Sequence, residues 1–444
     1  MLSMLQWCRI SSTIMDLAST LIERYFSSSA GELHIGAVPV SSLVAQYGTP
    51  LFVYDRGTID RKISLLRDTL PTDFVIYYSV KANPNRAILR HFLGCDCGLE
   101  VASAGEFSHA LRAGCPSKKI LFAGPGKTEA ELEFVLTHEI GEIHIESLLE
   151  AQRISAIGGR LGKRAHVAVR VNPRGEVQGG AMRMGGKPTP FGVDEEQLEE
   201  FINHLLVLPA LDIRGIHLFT GTQILDQKVL TLQYTRALEI ARSVGARLKH
   251  PLHTVDFGGG LGIPYFANDD ELDMDAFRKN VAALMDQVRN ESCFAGTSFI
   301  VEPGRYLIGE AGIYIARVND IKISRGKKFL VLDGGMNHHL AASGNLGQVI
   351  KRNFPIAVIN RLDHSPREVV DLVGPLCTPL DTLARDIEVP VARIGDLIGV
   401  FQSGAYGRSA SPASFLSRPE AVEIWIDREK SFPCRPPERS GQFI

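Results

Sequence analysis

The stretch Phe74-Val-Ile-Tyr-Tyr-Ser-Val-Lys-Ala-Asn-Pro84 decides the fold of this chain. Its first seven residues are mostly apolar, β-branched or aromatic, which predicts a strand buried on both faces. The strand ends on a single charge, Lys81, and a turn follows. Because desolvation there disfavours the ammonium form, we expect a neutral, nucleophilic amine suited to Schiff-base chemistry. The alternative is a lysine that extends out of the sheet into solvent.

Short apolar strands alternate with amphipathic helical segments along the next two hundred residues or so. The predicted strands are residues 74–80, 98–102, 119–123, 142–146, 166–171, 213–218, 253–257 and 297–301. This alternation predicts parallel pairing through right-handed crossovers. Eight such units over about 250 residues match a (β/α)₈ barrel of the TIM type. A doubly wound open sheet is the alternative.

Charged residues and glycines lie where the predicted strands end. They are Lys81, Glu100, Gly124, Glu146, Arg170, His217, Gly258-Gly-Gly260 and Glu302. In barrels the carboxyl ends of the strands carry the active site. A barrel without an active site would instead have Val, Ile and Leu at the strand ends. The pattern favours the barrel and predicts the site at this end.

The chain of 444 residues is too long for one compact core, so more than one domain is expected. After Arg305 the helical pattern stops, and short strands with turns predict a C-terminal all-β domain. The predicted segments are an N-terminal helical extension (1–31), a strand segment that joins the β domain (32–50), the barrel (51–305), the β domain (306–432) and a loose tail (433–444).

The composition is that of a soluble globular protein, with 45% hydrophobic residues, 22% charged residues and a net charge of −2. A nucleic-acid partner would require a basic domain or stripe, and a membrane span about 20 apolar residues, so neither partner is expected. Seven sparse cysteines predict reduced thiols in the cytoplasm. Cys95 and Cys97 have no second pair nearby, so no metal is expected.

Two strand-end motifs fit a phosphate-bearing cofactor. Successive glycines in Gly258-Gly-Gly260 let backbone N–H groups approach a phosphate, although a tight turn is the alternative. In Glu302-Pro-Gly-Arg305, a carboxylate facing a pyridine nitrogen would keep that nitrogen protonated, and the arginine would neutralise a phosphate. A plain ion pair between Glu302 and Arg305 is the alternative.

Two motifs of the β domain contain further candidate residues. Cys377 follows Gly374-Pro-Leu in a predicted turn, where a thiol is a candidate proton donor instead of the more common buried filler. Tyr406 follows Ser403-Gly-Ala, and its hydroxyl either faces a ligand or belongs to the core.

Together these motifs resemble the fold-type III pyridoxal-phosphate-dependent decarboxylases, the family of diaminopimelate, ornithine and lysine decarboxylases. The resemblance extends from about Tyr47 to Ile426. It rests on Tyr78-Ser-Val-Lys-Ala-Asn83, Gly258-Gly-Gly260, Glu302-Pro-Gly-Arg305, Asp333-Gly-Gly-Met336, Gly374-Pro-Leu-Cys377 and Gly404-Ala-Tyr406. It implies a barrel like the N-terminal domain of alanine racemase, pyridoxal 5'-phosphate as cofactor, and a homodimer with shared active sites.

The resemblance also implies a role for each motif residue. Lys81 would hold the cofactor as a Schiff base, and Glu302 would pair with its pyridine nitrogen. Cys377 would come from the partner subunit and protonate the carbanion left when carbon dioxide departs. The other cofactor-binding residues would be Glu100, Arg170, His217, Phe219, Thr222, Gly258, Gly259, Gly260, Gly304, Arg305 and Tyr406.

Three departures from the family pattern concern the substrate. Phe219 replaces a second histidine that stacks on the cofactor ring, and it can stack but cannot transfer protons. Thr378 replaces the acidic residue that holds a distal ammonium, although Asp381 lies three residues further on. A segment around His338 replaces one that carries an arginine for a distal carboxylate. Thr378, Asp381 and His338 are therefore the candidate substrate residues.

These departures, and the segment 182–192, resemble a specialised subgroup that includes decarboxylases of carrier-protein-tethered glutamyl groups. We expect decarboxylation of an amino acid whose distal end is modified or presented on an acyl carrier protein. Three alternatives remain: a diaminopimelate decarboxylase with a rebuilt distal site, a racemase of the alanine type, and a catalytically silent pyridoxal-phosphate-binding regulatory protein. The loop of Cys377 argues against the racemase, and the presence of both Lys81 and Cys377 argues against the regulatory protein.

Overall fold

The computed structural model describes residues 16–175, 187–348 and 350–434, together with the backbone of Met182–Arg183. Three predicted features lie partly outside these residues. They are the first fifteen residues of the N-terminal extension, residues 184–186 of the segment 182–192, and residues 435–444 of the tail. No helix in the described part of the chain is long and apolar enough to cross a lipid bilayer.

Eight parallel strands close into a barrel, which confirms the predicted fold class and excludes the open sheet. The strands are Phe74–Ser79, Gly98–Val101, Ile120–Phe122, Glu142–Ile145, Ala165–Asn172, Leu211–His217, Thr254–Asp256 and Ser298–Val301. Closure occurs where the last strand pairs with the first, with Val301 opposite Ile76. Neighbouring strand ends are also in register, with Ser79 opposite Glu100 and His217 opposite Arg170.

Helices surround the barrel, and most begin at a residue that suits a helix start. The helices that follow the first seven strands are Arg86–Gly94, Ala104–Ala113, Glu129–Thr137, Leu148–Leu161, Leu198–Leu206, Gln227–Leu248 and Met274–Val288. Ser103 and Asp273 are two such caps, and each accepts a hydrogen bond from a backbone N–H of the first turn. Thr128 and Glu131 form a reciprocal capping box. The helices bury an apolar face against the sheet, which is why their 3.6-residue spacing could be recognised.

The C-terminal domain is a second large sheet. Its main path runs through Thr382–Pro390, Arg367–Val373, Lys327–Leu332, Gly312–Ser324, Leu51–Asp55, Val422–Asp427 and Lys430–Pro433. Leu397–Val400 also pairs with Gly312–Ser324, and Ile356–Val358 pairs with Leu397–Val400. The short strands 356–358, 382–390 and 430–433 were not predicted from the sequence.

The segment that joins this sheet differs from the prediction. Leu51–Asp55, which we assigned to the barrel, pairs antiparallel with Gly312–Ser324 and parallel with Val422–Asp427. Glu32–Ile35, which we expected to join, forms a separate three-stranded sheet with Ser27–Ser29 and Val38–Pro39. The physical reason is burial. All five residues of Leu51–Asp55 are buried, as a central strand requires, whereas the three-stranded sheet packs against the domain and donates the Leu33 N–H to the Ile359 carbonyl at 2.8 Å.

The N-terminal residues pack against the β domain. Helices Leu17–Tyr25 and Val40–Tyr47 share one apolar cluster with strands of the large sheet. Helix Arg56–Thr69 then leads into the barrel, and Arg305–Ile308 leads out of it. A loop of the β domain docks at the barrel mouth, where the Tyr406 N–H donates to the Ala82 carbonyl at 2.8 Å. Lys81 therefore lies where the two domains meet.

Asp55 caps helix Arg56–Thr69 at the junction between the sheet and the barrel. Its buried carboxylate accepts from the Thr58 N–H at 2.7 Å and from the Thr58 hydroxyl at 2.6 Å. We expect Asp55→Ala to lower the free energy of unfolding by about 2 kcal/mol, near the upper end for a lost cap, because the freed donors stay buried. Urea unfolding followed by circular dichroism measures this loss.

The matched control is Asp273→Ala, which removes an exposed cap of helix Met274–Val288. We expect a loss of about 0.5–1 kcal/mol for the control. Equal losses in the free energy of unfolding for the two variants would contradict the prediction that the buried cap stabilises the protein more than the exposed one.

Candidate active site

A cavity of about 850 Å³ opens at the carboxyl ends of the barrel strands. Its wall contains several of the predicted cofactor-binding residues, namely Lys81, Glu100, Arg170, Phe219, Thr222, Arg305 and Tyr406. Others pack behind this wall: a Cβ atom on Gly259 would lie 2.6 Å from the Glu302 carbonyl oxygen, and one on Gly304 would lie 2.9 Å from Ala82. Residues at or just after the ends of six of the eight strands, together with Tyr406 of a β-domain loop, thus converge on a single space.

Lys81 points into this cavity and faces a carboxylate. Its Nζ lies 3.3 Å from Glu100 Oε2 and 5.9 Å from the centre of the Phe219 ring. Burial lowers the pKa of Lys81, but the Glu100 carboxylate, Tyr406 and Glu302 raise it, and the net shift is upward. The expectation of a neutral amine is therefore wrong for the free enzyme. The sequence showed the cost of desolvation, whereas the compensating carboxylates come from other strands.

Glu302 ends the eighth strand and lies beside two buried histidines. Its Oε2 is 3.4 Å from His217 Nε2, and its Oε1 is 3.9 Å from His144 Nδ1. Burial raises the pKa of Glu302, but the two imidazoles reverse the shift and keep it below its usual range. Burial lowers the pKa of His217 to about 4. The arrangement holds an ionised carboxylate beneath the cavity.

The glycine run and Arg305 form a cradle that fits a phosphate. Gly258 and Gly260 have φ of +67° and +106°, and a Cβ atom on Gly258 would lie 2.9 Å from the Phe219 ring. The Arg305 guanidinium lies 4.7 Å from the centre of the Tyr406 ring, and its buried Nε has no hydrogen-bond partner among the described residues. A buried guanidinium N–H without an acceptor requires an anion or water. These groups fit the phosphate of pyridoxal 5'-phosphate.

Arg170 is held in the cavity wall by a buried network. Its Nη1 lies 2.9 Å from Glu146 Oε1, and Glu146 also accepts the N–H groups of Gly124 and Gly192. The Arg170 guanidinium lies 5.0 Å from the centre of the Phe191 ring. Because Glu146 accepts these three hydrogen bonds, it is held in place and in turn fixes the Arg170 guanidinium. The positive charge of Arg170 therefore has a fixed position in the cavity wall.

Two of the predicted substrate residues are buried in the protein and do not line the cavity. Asp381 is buried, and its two oxygens accept the N–H groups of Met336 at 2.6 Å and Leu376 at 2.8 Å. His338 is buried, with Nε2 2.8 Å from the Pro419 carbonyl oxygen. Neither side chain is available to a substrate, which corrects both assignments. The motif positions suggested exposure, but the packing of the loops determines burial.

Cys377 and Thr378 lie apart from the cavity of their own chain. Cys377 is exposed, and Thr378 is partly exposed, with its hydroxyl accepting the Leu380 N–H at 3.3 Å. The structure therefore does not bring these residues to Lys81 within one subunit.

The outer part of the cavity contains residues that sequence reasoning missed. They are mostly apolar or aromatic and include Phe191, Leu225, Phe266, Leu346, Ile350 and Phe354. Several belong to a β-domain loop without a motif, so no signal in one sequence could find them. His144 is different, because it alternates with Glu142 and Glu146 along a buried strand that should be apolar.

The upward shift of the Lys81 pKa has a measurable consequence. Removing the Glu100 charge in Glu100→Gln lowers the pKa and raises the fraction of free amine at pH 8, by about tenfold for each pKa unit. We therefore expect cofactor-free Glu100→Gln to combine with pyridoxal 5'-phosphate faster than wild type at pH 8, because the wild-type amine remains protonated at that pH. Stopped-flow absorbance measures the rate. Glu129→Gln, on an exposed helix start, is the control, and a slower or unchanged rate for Glu100→Gln alone would contradict the charge pairing.

Comparison with known proteins gives the same picture as the geometry. The model of the family described as "Pyridoxal-dependent decarboxylase, pyridoxal binding domain" matches residues 56–309. The L-glutamyl-[BtrI acyl-carrier protein] decarboxylase of Niallia circulans is 36% identical over 397 residues, covering 88% of this chain and 92% of that protein. The 2-[(L-alanin-3-ylcarbamoyl)methyl]-2-hydroxybutanedioate decarboxylase of Staphylococcus aureus is 30% identical over 387 residues, covering 85% and 94%.

A solved structure extends the likeness to the whole fold. The diaminopimelate decarboxylase of M. jannaschii in complex with L-lysine aligns with a TM-score of 0.85 and 26% identity, over 93% of this chain and 95% of that chain. The match therefore includes the β domain as well as the barrel. The chain belongs to the pyridoxal-dependent decarboxylases, and it is an enzyme that uses pyridoxal 5'-phosphate to decarboxylate an amino acid.

Proposed function

We propose that the enzyme removes the α-carboxylate of an amino acid whose distal end carries no free charge, because that end is modified or tethered to an acyl carrier protein. The observation that carries this proposal is the cavity lining. Among the described lining residues, the carboxylates are Glu100 and Asp269. Glu100 faces Lys81, and Asp269 accepts the N–H groups of Tyr265 and Phe266. Neither is free to hold a distal ammonium.

The size and surface of the outer cavity support an extended substrate. A volume of about 850 Å³ is near the upper end of the range of ligand sites, which is about 300–1,000 Å³. Its outer wall includes Leu225, Phe266, Leu346 and Ile350. Arg352 is the cation on this side, and it stacks 3.4 Å from the centre of the Phe266 ring and lies 3.8 Å from Asp269. Such a wall suits a neutral arm better than a short diamine.

The names of the two relatives support a modified distal end, although the hydroxybutanedioate of one of them carries carboxylates. One acts on a glutamyl group of an acyl-carrier protein, and the other on an alaninyl group joined through a carbamoyl link to a hydroxybutanedioate. In both names the amino acid carries a further group at its distal end. We take this as support for a tethered or conjugated substrate here.

The proposed roles follow from the geometry. When bound, the cofactor supplies an electron sink for the bonds of the α-carbon. Lys81 would attach it, Glu302 would keep its pyridine nitrogen protonated, and Phe219 would pack on the ring. Gly258 to Gly260, Arg305 and Tyr406 hold the phosphate. Glu100, Arg170 and Thr222, which line the cavity, would also contact the cofactor, and His217 would support Glu302.

We also propose a homodimer in which Cys377 acts in the second subunit's cavity. The thiol is exposed and lies outside the cavity of its own chain, so it can reach a site only across an interface. There it would deliver a proton to the α-carbon after carbon dioxide leaves. Its neighbour Leu380 is an exposed large apolar residue, as expected at an interface. The described cysteines are all free thiols, which supports a reducing compartment such as the cytoplasm.

A substrate screen tests the proposed specificity. We expect carbon dioxide release and the matching product mass with carrier-bound or amide-modified glutamyl substrates, and only trace turnover of meso-diaminopimelate, ornithine or lysine. Free glutamate is the matched control for the tether. Turnover of any of the three free diamino acids at about 1–10³ s⁻¹ would contradict the proposal and favour a rebuilt diaminopimelate decarboxylase. Proton exchange at the α-carbon without carbon dioxide loss would favour a racemase. Full cofactor occupancy with no reaction on any substrate would favour a regulatory protein.

Mixed dimers test whether each active site combines Lys81 of one subunit with Cys377 of the other. Lys81→Ala and Cys377→Ala should each be inactive or nearly so as homodimers. Mixing them with subunit exchange should restore about a quarter of wild-type activity, because half of the dimers are mixed and each has one intact site. Mixing Lys81→Ala with Lys81→Ala,Cys377→Ala is the control that restores nothing. Verified exchange without recovery would show that Cys377 does not act across the interface.

A further inference from the structure

A column of polar side chains continues below Glu302 into the barrel interior. Barrel interiors are normally filled by layers of Val, Ile and Leu. Here Glu142 and His144 are two residues apart on the fourth strand and share its inner face. Asp256 ends the seventh strand. All three side chains are buried, as are His217 and Glu302 above them. None of these five residues lines the cavity, so the column lies behind the site wall.

His144 lies at the centre of this column. Its Nδ1 is 3.9 Å from Glu302 Oε1, and its Nε2 is 3.7 Å from Asp256 Oδ2 and 3.4 Å from Glu142 Oε1. Its ring centre is 4.4 Å from that of His217. One imidazole therefore contacts three carboxyl groups that come from three different strands.

Hydrogen bonds satisfy only part of the column, where the Gly258 N–H donates to Asp256 Oδ1 at 2.7 Å and the Thr254 hydroxyl donates to Glu142 Oε2 at 2.8 Å. Both ring nitrogens of His144 and of His217, together with Glu302 Oε1 and Asp256 Oδ2, have no hydrogen-bond partner among the described residues. Buried polar atoms without partners are costly, so a purely structural core would have replaced them with apolar residues. Short movements of the two rings would convert the contacts of 3.4–3.9 Å into hydrogen bonds to Glu302.

Glu302 needs such support because of its neighbours. Carboxyl groups that share a buried site repel, and one of them then keeps its proton. Burial and the Glu302 charge raise the pKa of Asp256 well above its usual range, so Asp256 retains the proton and Glu302 remains ionised. Lys81 and Arg170, above the column, are the other charged groups that act on Glu302 and His217.

We propose that His144 is a positioning residue that holds the Glu302 carboxylate toward the pyridine nitrogen of the cofactor. This inference rests on the proposed role of Glu302. His144 does not touch the substrate. It acts through the orientation of Glu302, as outer partners orient the ligands of a metal site.

The test compares His144→Leu, which removes both ring nitrogens, with His144→Asn, which keeps an N–H donor. The readouts are the dissociation constant of pyridoxal 5'-phosphate from titration of the cofactor-free enzyme, the pH dependence of the bound cofactor's absorbance, and the melting temperature. We expect His144→Leu to weaken cofactor binding by about tenfold or more and to shift the absorbance–pH curve, and His144→Asn to lose about threefold or less. His339→Asn, a buried histidine of the β domain, is the control and should leave both cofactor readouts unchanged.

A folded His144→Leu variant with wild-type affinity and an unchanged absorbance–pH curve would overturn the proposal. Equal losses in His144→Leu, His144→Asn and the control, in step with the melting temperature, would also overturn it, because they indicate a structural role. If His144→Leu does not fold, ¹⁵N-histidine NMR of the wild type decides. The His144 ring signals should shift when the cofactor binds, and unchanged signals would reject the inference. Glu302→Gln separates the two claims, since unaltered cofactor binding in that variant would refute the role of Glu302 itself.

Discussion

Closure of the eight-stranded sheet is the constraint on which the site depends. Pairing of the last strand with the first fixes the register of all eight, and it places Ser79 opposite Glu100 and His217 opposite Arg170. In a sheet, a shift of one residue turns a strand's side chains to the other face. One slipped strand would thus remove its polar side chain from the mouth or from the column and place it against the helices. The chemistry of the site is therefore specified by the same pairing that forms the core.

Charge balance at the strand ends is the second level of organisation. Carboxylates from several strands alternate with basic groups: Glu100 with Lys81, Glu146 with Arg170, and Glu302 with two imidazoles. These pairings reverse the pKa shift that burial alone would cause in Lys81, Glu146 and Glu302. The free enzyme consequently keeps Lys81 protonated and Glu302 ionised. Apolar residues of the β domain then define the outer cavity, where we propose that substrates are distinguished.

The sequence predicts the barrel and the cluster of candidate residues because both signals are local. The alternation of strands and helices, and the polar residue at each strand end, can be recognised without tertiary contacts. Leu51–Asp55 was misassigned because a short apolar run looks the same in either sheet. The pKa of Lys81 was misjudged because Glu100 and Glu302 approach it only after the barrel closes. Asp381 and His338 occupy motif positions, but whether they face a substrate depends on how two loops pack. His144 could have been noticed from the sequence. Together with Glu142 and Glu146 it places a polar residue at every second position of a strand that should be apolar.

The central claim is that Lys81 is the residue to which the cofactor is attached. The most direct measurement is borohydride reduction of the cofactor-loaded enzyme, followed by peptide mapping by mass spectrometry. We predict that the mass of the reduced cofactor is found on the peptide that contains Lys81. Lys127 is a buried lysine nearby that donates to Glu150 and to two carbonyl oxygens, and its peptide should be unmodified. A cofactor mass on Lys127 or on another lysine, with the Lys81 peptide unmodified, would contradict the account at its centre.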